Sequence, residues 1–207
     1  MVIKLSRLLF EGIRSKTFDM HEFRGFETLE EMNEYADEHL QRVGLGSSRR
    51  VFVLSSRYAL KIANGYDDDG VRGIAQNEEE TRLSGIRDIG VVVARVTSHD
   101  DEYRWIIQEL VRPLKSWKEF DGITGYSHEE LLDILVDSFS DYQDFRDNYD
   151  VDSELANSDF VAALYKLKDY GLDFSDLEGI QQWGKTADNR VVLLDYGGTS
   201  DVLEQYY

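Results

Sequence analysis

The pattern of apolar and polar positions changes period several times along the chain. Residues 1–25 mix apolar and basic positions with no clear repeat and read as a docking segment with a short strand and turn. Thr28-Leu29-Glu30-Glu31 has the form of a capping box, ahead of Leu29, Met32, Ala36, Leu40 and Val43 at helical spacing. That spacing predicts a helix over about 28–42, stopped by Gly44. Val51–Leu54 and Tyr58–Ala63 are β-rich runs separated by Ser55-Ser56-Arg57, so they predict a hairpin. Asn64–Gly73 holds three glycines and three consecutive aspartates and reads as a loop, and residues 75–87 carry a helical mixture. Val91–Thr97 and Tyr103–Val111 bracket a polar turn and predict a second hairpin.

Pro113 closes this β-rich half, and the chain then turns helical. Leu131, Leu135, Phe139, Tyr142 and Phe145 fall at steps of three and four. Ser158 is placed to cap a helix carrying Phe160, Leu164 and Leu167, with Gly171 at its C-terminal end. A last hairpin runs through Trp183–Thr186 and Val191–Asp195, turning at Ala187-Asp188-Asn189. The layout is a five-strand-plus-helix half, then a helical half with a terminal hairpin. It divides into an N-terminal docking segment and helix (1–43), a β-rich lobe (44–113) and a reduced helical lobe (114–207).

Composition narrows the function classes. The 207 residues are 42% apolar and 12% aromatic, an ordinary globular make-up that can bury a core. Forty-one acidic against 23 basic residues give a formal net charge of −18, which argues against non-specific binding to nucleic acid or to anionic membranes. No stretch approaches about 18 apolar residues, and Met1-Val2-Ile3-Lys4-Leu5 opens no long apolar segment, so a cytoplasmic setting is expected. The absence of cysteine excludes disulfides, thiol nucleophiles and thiolate metal sites. The four histidines are scattered, which leaves little room for a histidine-rich zinc site.

Several segments could carry chemistry, each with a blander alternative. Gly44-Leu45-Gly46 is a helix stop and flexible turn, or a loop that lets backbone approach a phosphate. It follows a helix and opens a hairpin, which does not suit a Rossmann site, and no Gly-Lys-Ser/Thr follows to make a P-loop. Lys61, alone in an apolar strand, guards a sheet edge or contacts a ligand. If Leu60 and Ile62 face the core, Lys61 faces the other side, beneath whatever Gly44–Gly46 cover. Glu78-Glu79-Glu80 is a solvated helix face or the source of a partner for that lysine. Glu109 ends a buried strand just before the only proline, and Val191–Leu194 delivers Asp195 into a glycine turn.

Taken in order, these segments resemble the protein-kinase-like fold, over about 44–198. Gly44, Gly46 and Val51 match positions of its Gly-x-Gly-x-x-Gly-x-Val loop, with Arg49 where the third glycine would stand. Ala59-Leu60-Lys61 resembles the Val-Ala-Ile-Lys strand, and Glu80 the helix glutamate that pairs its lysine. Glu109 to Val111 take the place of the hinge that receives adenine, and Asp195-Tyr196-Gly197 resembles Asp-Phe-Gly. The wording is also similar to that of small kinase-like proteins encoded by bacteriophages. The resemblance implies an α+β, kinase-like architecture: an antiparallel β-sheet lobe with one helix, and a truncated helical lobe with a terminal β-hairpin. It implies ATP and Mg2+ as cofactors. Lys61 and Glu80 would serve the phosphates, Asp195 and Gln182 the metal, and Asp176 the role of base.

The match is incomplete at the transfer step. Phe174 replaces the histidine two residues before Asp176, and Gln181 or Gln182 replaces the asparagine of the second metal site. Asp176 reads equally as a turn or cap residue. Ten residues follow Gly197 and no Ala-Pro-Glu is present, so docking of a peptide substrate is not expected. The expected function is a pseudokinase acting as a nucleotide-binding or protein-interaction module with a protein partner. An active minimal phosphotransferase is the alternative, and an acidic nucleic-acid mimic, built on the acids between Asp133 and Asp159, a lesser one.

Overall fold

The computed structural model describes residues 17–45, 48–64, 67–136, 139, 141–149 and 153–198. These form seven α-helices and two antiparallel sheets, a mixed α+β arrangement. The larger sheet has five strands in the order β1-β2-β3-β5-β4: β1 Gln41–Leu45, β2 Arg49–Val53, β3 Tyr58–Ala63, β4 Val96–His99 and β5 Trp105–Glu109. The β2–β3 register pairs Val51 with Lys61 and Phe52 with Leu60, so the two faces of the sheet alternate along the chain.

One face is apolar and carries Phe52, Leu60, Ile62 and Trp105. It is covered by α1 (Met20–Phe23) and α2 (Leu29–His39), which add Phe23, Met32, Tyr35 and Ala36 to a single cluster. Met32, Tyr35 and Ala36 meet the sheet together because three- and four-residue steps share a helix face. The capping box is present: Glu31 N–H donates to Thr28 Oγ1 at 3.2 Å, and Thr28 N–H donates to the Glu31 carboxylate at 3.2 Å. Asn33 ties α2 to the sheet by donating to the Ala63 carbonyl at 2.9 Å. Of the expected docking segment, residues 1–16 lie outside the described residues, and the rest packs as the outer layer of the sheet.

The opposite face receives α3 (Asp67–Ser84) and, beyond it, the helical half. That half contains α4 (Trp117–Thr124), α5 (His128–Val136), α6 (Tyr142–Asn148) and α7 (Asp159–Asp169). A three-stranded sheet of β6 (Arg112–Pro113), β7 (Trp183–Lys185) and β8 (Val191–Leu193) completes it. Trp183 is fully buried, stacks on Phe160 and meets Phe120 edge-on, and its indole N–H donates to the Leu177 carbonyl at 2.9 Å.

Three expectations are corrected. The helix ends at His39, with Leu40 extended, and Gly44 lies inside β1 opposite Val51 instead of stopping a helix. Residues 67–73, read as loop, are the first turns of α3. Gly73 is needed for contact, since a side chain there would come within 2.9 Å of Ala63 Cβ. The continuous helical repeat from Leu131 to Phe145 is two helices, α5 and α6. Pro113 ends the run of strands before α4; it sits in β6 and pairs with Gly184, an edge position of the smaller sheet where its missing N–H costs nothing.

Candidate functional site: a cluster of four charges

Cross-strand partners share a face, and so do residues two apart along a strand. Lys61 therefore shares its face with Val51, and Arg49 lies there too, at the start of β2. This is the inner face, under α3. Ser48 anchors the entry to β2: its hydroxyl donates to Gln76 Oε1 at 2.6 Å, and its carbonyl accepts from Asn64 N–H at 2.7 Å. Gln76, Asn77 and Glu80 form the facing stripe of α3 and are all buried.

Glu80 is the hub. Its carboxylate, wholly removed from solvent, accepts from Lys61 Nζ at 2.9 and 2.7 Å and pairs with Arg49 Nη1 at 2.9 Å. Arg49 also donates to Asn77 Oδ1 at 3.3 Å and, through Nη2, to Asp195 Oδ1 at 3.0 Å. Two cations and two carboxylates thus neutralise one another. That balance is what makes burial tolerable, because an unpaired buried charge costs several kcal/mol.

Asp195 follows β8, which is held where Leu194 N–H donates to the Gln182 carbonyl at 2.9 Å. The next residue, Tyr196, is buried; its hydroxyl donates to the Ala94 carbonyl at 2.5 Å and accepts from Gln108 Nε2 at 2.9 Å. Gly197 lies against α3 so closely that a Cβ would stand 2.7 Å from the Gln76 carbonyl oxygen and 2.9 Å from Glu80 Cγ. The turn is pinned at both ends, with the Asp195 side chain 55% exposed while those of Arg49, Lys61 and Glu80 are 8% exposed or less.

The protonation equilibria follow from this packing. Burial drives the Lys61 ammonium below its ordinary value, with Glu80 opposing and Arg49 adding to the effect. Burial also works against the Arg49 charge, but Glu80 and Asp195 outweigh it and hold the guanidinium above its ordinary value. At Asp195, desolvation is outweighed by Arg49 and then Lys61, so its carboxyl lies below the ordinary value. Burial, and then Glu80, push the Tyr196 phenol well above its ordinary value.

The structure thus brings Lys61, Glu80 and Asp195 together and adds Arg49. Gly44 lies opposite Val51, with room for a Cβ only at 3.3 Å from Val51 Cβ. Gly46 lies outside the described residues. Glu109 ends β5; its carboxylate pairs with Arg190 and accepts from Arg95 N–H at 3.0 Å, while Leu110 N–H donates to the Arg57 carbonyl at 2.8 Å. Val111 is half-buried over Gly184. Gln182 is half-buried and touches the Asp195 segment through its backbone alone among its hydrogen bonds. Asp176 is exposed on a 3-10 turn over Phe174–Glu178, and its backbone N–H donates to Asp173 at 3.3 Å; no hydrogen bond or ion pair ties its side chain to the cluster.

The donor set decides whether a magnesium ion fits. Magnesium takes hard oxygen ligands in near-octahedral geometry. Here the one carboxylate that faces outward, Asp195, is engaged by Arg49 and by the Gly197 N–H. The other, Glu80, is saturated by two cations. Among the described residues no group of three His, Asp or Glu side chains is placed to hold a metal. The residues as arranged do not fit magnesium.

No helix among the described residues is long and apolar enough to cross a membrane. No protein-family model and no curated protein sequence matches the chain. Among solved structures, the chain is similar to that of the streptomycin–ATP–APH(2")-IIa ternary complex, at 14% identity and a TM-score of 0.38, over 81% of this chain and 70% of that one.

Proposed function

We propose that the chain is a reduced kinase-like protein of the pseudokinase type, a module that takes a nucleotide on the inner face of its five-stranded sheet without passing the phosphate on. The observation that carries this reading is the buried Lys61–Glu80 pair, 2.7 Å apart, between the third strand and the helix that follows it, with Asp195 reaching the same cluster through Arg49. Lys61, positioned on that face by Glu80, suits a polyphosphate, whose charge needs preorganised positive groups. The transfer machinery has no comparable support: Asp176 stands exposed without a side-chain partner among the described residues, and Asp195 is engaged by a guanidinium.

The acidic-mimic reading would use the acids between 133 and 159, some of which are engaged locally. Asp141 caps α6, Asp144 accepts from Asn148 at 2.9 Å, and Asp147 accepts from Gln143 at 2.8 Å, all local helix bonding. Asp137, Asp150 and Asp152 lie outside the described residues.

Thermal unfolding with and without ATP tests the proposal. Ligand at about 100 times its dissociation constant adds roughly 2.7 kcal/mol. For a chain of this size that is an upward shift of about 5–10 °C. The shift is expected to vanish in Lys61→Ala. An unchanged unfolding temperature under saturating ATP would remove the nucleotide and leave a kinase-shaped interaction module.

A further inference from the structure

The cluster answers a question that the fold reading leaves open, namely what balances Asp195. We infer that Arg49 is the resident cation of this site, standing on Asp195 in the place of a divalent metal ion, so that the site works without magnesium. The inference deepens the nucleotide reading and rests on it only for the identity of the ligand.

Three observations converge on Arg49. Its guanidinium is held by acceptors from two parts of the fold, Glu80 and Asn77 on α3 and Asp195 after β8, at 2.9, 3.3 and 3.0 Å. A planar fork with donors on separate nitrogens suits such a divided set of acceptors in a way a flexible ammonium does not. Its backbone is fixed as well, since Ser48 beside it is bonded to both α3 and Asn64, and Arg49 itself pairs with Ala63. Finally, the side chain is only 7% exposed, so this is not a surface arginine that happens to lie near an acid.

Charge makes the same point. With Arg49 left out, Lys61, Glu80 and Asp195 carry one negative charge in excess, a site that attracts a cation. With Arg49 in place the group is neutral. A divalent ion arriving at Asp195 would have to displace a guanidinium and settle near Lys61, against like charge.

Manganese(II) titrated into the full-length chain at neutral pH, with free ion read by electron paramagnetic resonance, tests this directly. Because a chain of net charge −18 gathers cations loosely over its surface, the comparison is between variants. Wild type and Asp195→Asn are expected to leave the same free manganese. Arg49→Gly is expected to bind one further ion per chain, lost again when Asp195→Asn is added. An ion bound by wild type and lost in Asp195→Asn overturns the inference, as does a folded Arg49→Gly that gains none. If Arg49→Gly fails to fold, the wild-type and Asp195→Asn pair decides alone. In a second arm, ATP in EDTA is expected to raise the unfolding temperature as much as ATP with magnesium. A shift seen only with magnesium overturns the inference and keeps the nucleotide. No shift in either condition removes the nucleotide reading, and the manganese comparison then decides the metal question by itself.

Discussion

Arg49 and Lys61 reach the same carboxylate, Glu80, from neighbouring strands. They can do so because Arg49 stands two residues before Val51, and Val51 is the register partner of Lys61. A one-residue slip that turned β2 over against β3 would send Arg49 to the apolar face beside Leu60 and Ile62, and Phe52 to the inner one. The pairing of Glu80 with both cations therefore also specifies the register of the hairpin.

Replacing that carboxylate is expected to be severe. Glu80→Gln leaves two buried cations facing an amide, and breaking a buried ion pair in this way typically costs about 3–5 kcal/mol. Glu78→Gln, on the exposed side of the same helix, is expected to change little. Urea unfolding of the two variants checks the contrast; similar midpoints would mean that the buried pairing contributes little.

The acid limb of the stability curve should depend on Asp195. Its carboxyl is held below its ordinary value of 3.8, chiefly by Arg49 acting against desolvation. A depressed folded-state value adds stability that is present above the unfolded value and lost as pH falls through the folded one. Between pH 6 and pH 3, Asp195→Asn is expected to lose less stability than wild type. Parallel curves for the two proteins would show that the pairing with Arg49 does not stabilise the fold.

Two adjacent glycines should respond in opposite ways. Gly197→Ala places a methyl group 2.7 Å from the Gln76 carbonyl oxygen and is expected to cost about 1–3 kcal/mol, as overpacking does. A Cβ at Gly198 meets nothing within 4 Å, so Gly198→Ala is expected to be neutral or slightly stabilising. Thermal unfolding of both variants reads this; equal effects would mean that the turn after β8 moves away from α3 without cost.

Arg190 links the large sheet to the last hairpin. It pairs with Glu109 and donates to the Gly90 carbonyl at 2.9 Å. A double-mutant cycle with Arg190→Met and Glu109→Gln is expected to show a coupling of about 0.5–3 kcal/mol, in the range for contacting residues. Additive effects would mean that the other partners of Arg190, the Gly90 and Val93 carbonyls and Asp188, hold it without help from Glu109.

Much of this was legible in residue order. The β2–β3 hairpin, the capped α2 and α7, and the β7–β8 hairpin all follow from local pattern and turn chemistry. Gly171 (φ +87°) and Asn189 (φ +62°) sit where a left-handed residue was needed. What local pattern hid was tertiary. Gly73 looks like a loop residue until the approach of Ala63 explains it, and Gly44 looks like a helix stop until Val51 lies across from it. Helix α4 was missed although its signals were present: Ser116 accepts from Glu119 N–H at 3.3 Å, and Gly125 ends it at φ +77°. Arg49 was visible as an arginine where a glycine was expected. The chain order that places Lys61 and Glu80 says nothing of where a long guanidinium goes, so its two carboxylate partners emerged only from the packed structure.

Arg49 and Asp195 are 146 residues apart in the chain. While the protein is being made, the sheet and α3 are complete long before Asp195 leaves the ribosome. Until then the inner face holds Arg49, Lys61 and Glu80 with one positive charge too many. The last hairpin supplies the carboxylate that balances this charge. A β-rich fragment cut near Pro113 would carry that uncompensated charge permanently. The two halves are thus joined by an arginine that is synthesised early and neutralised late.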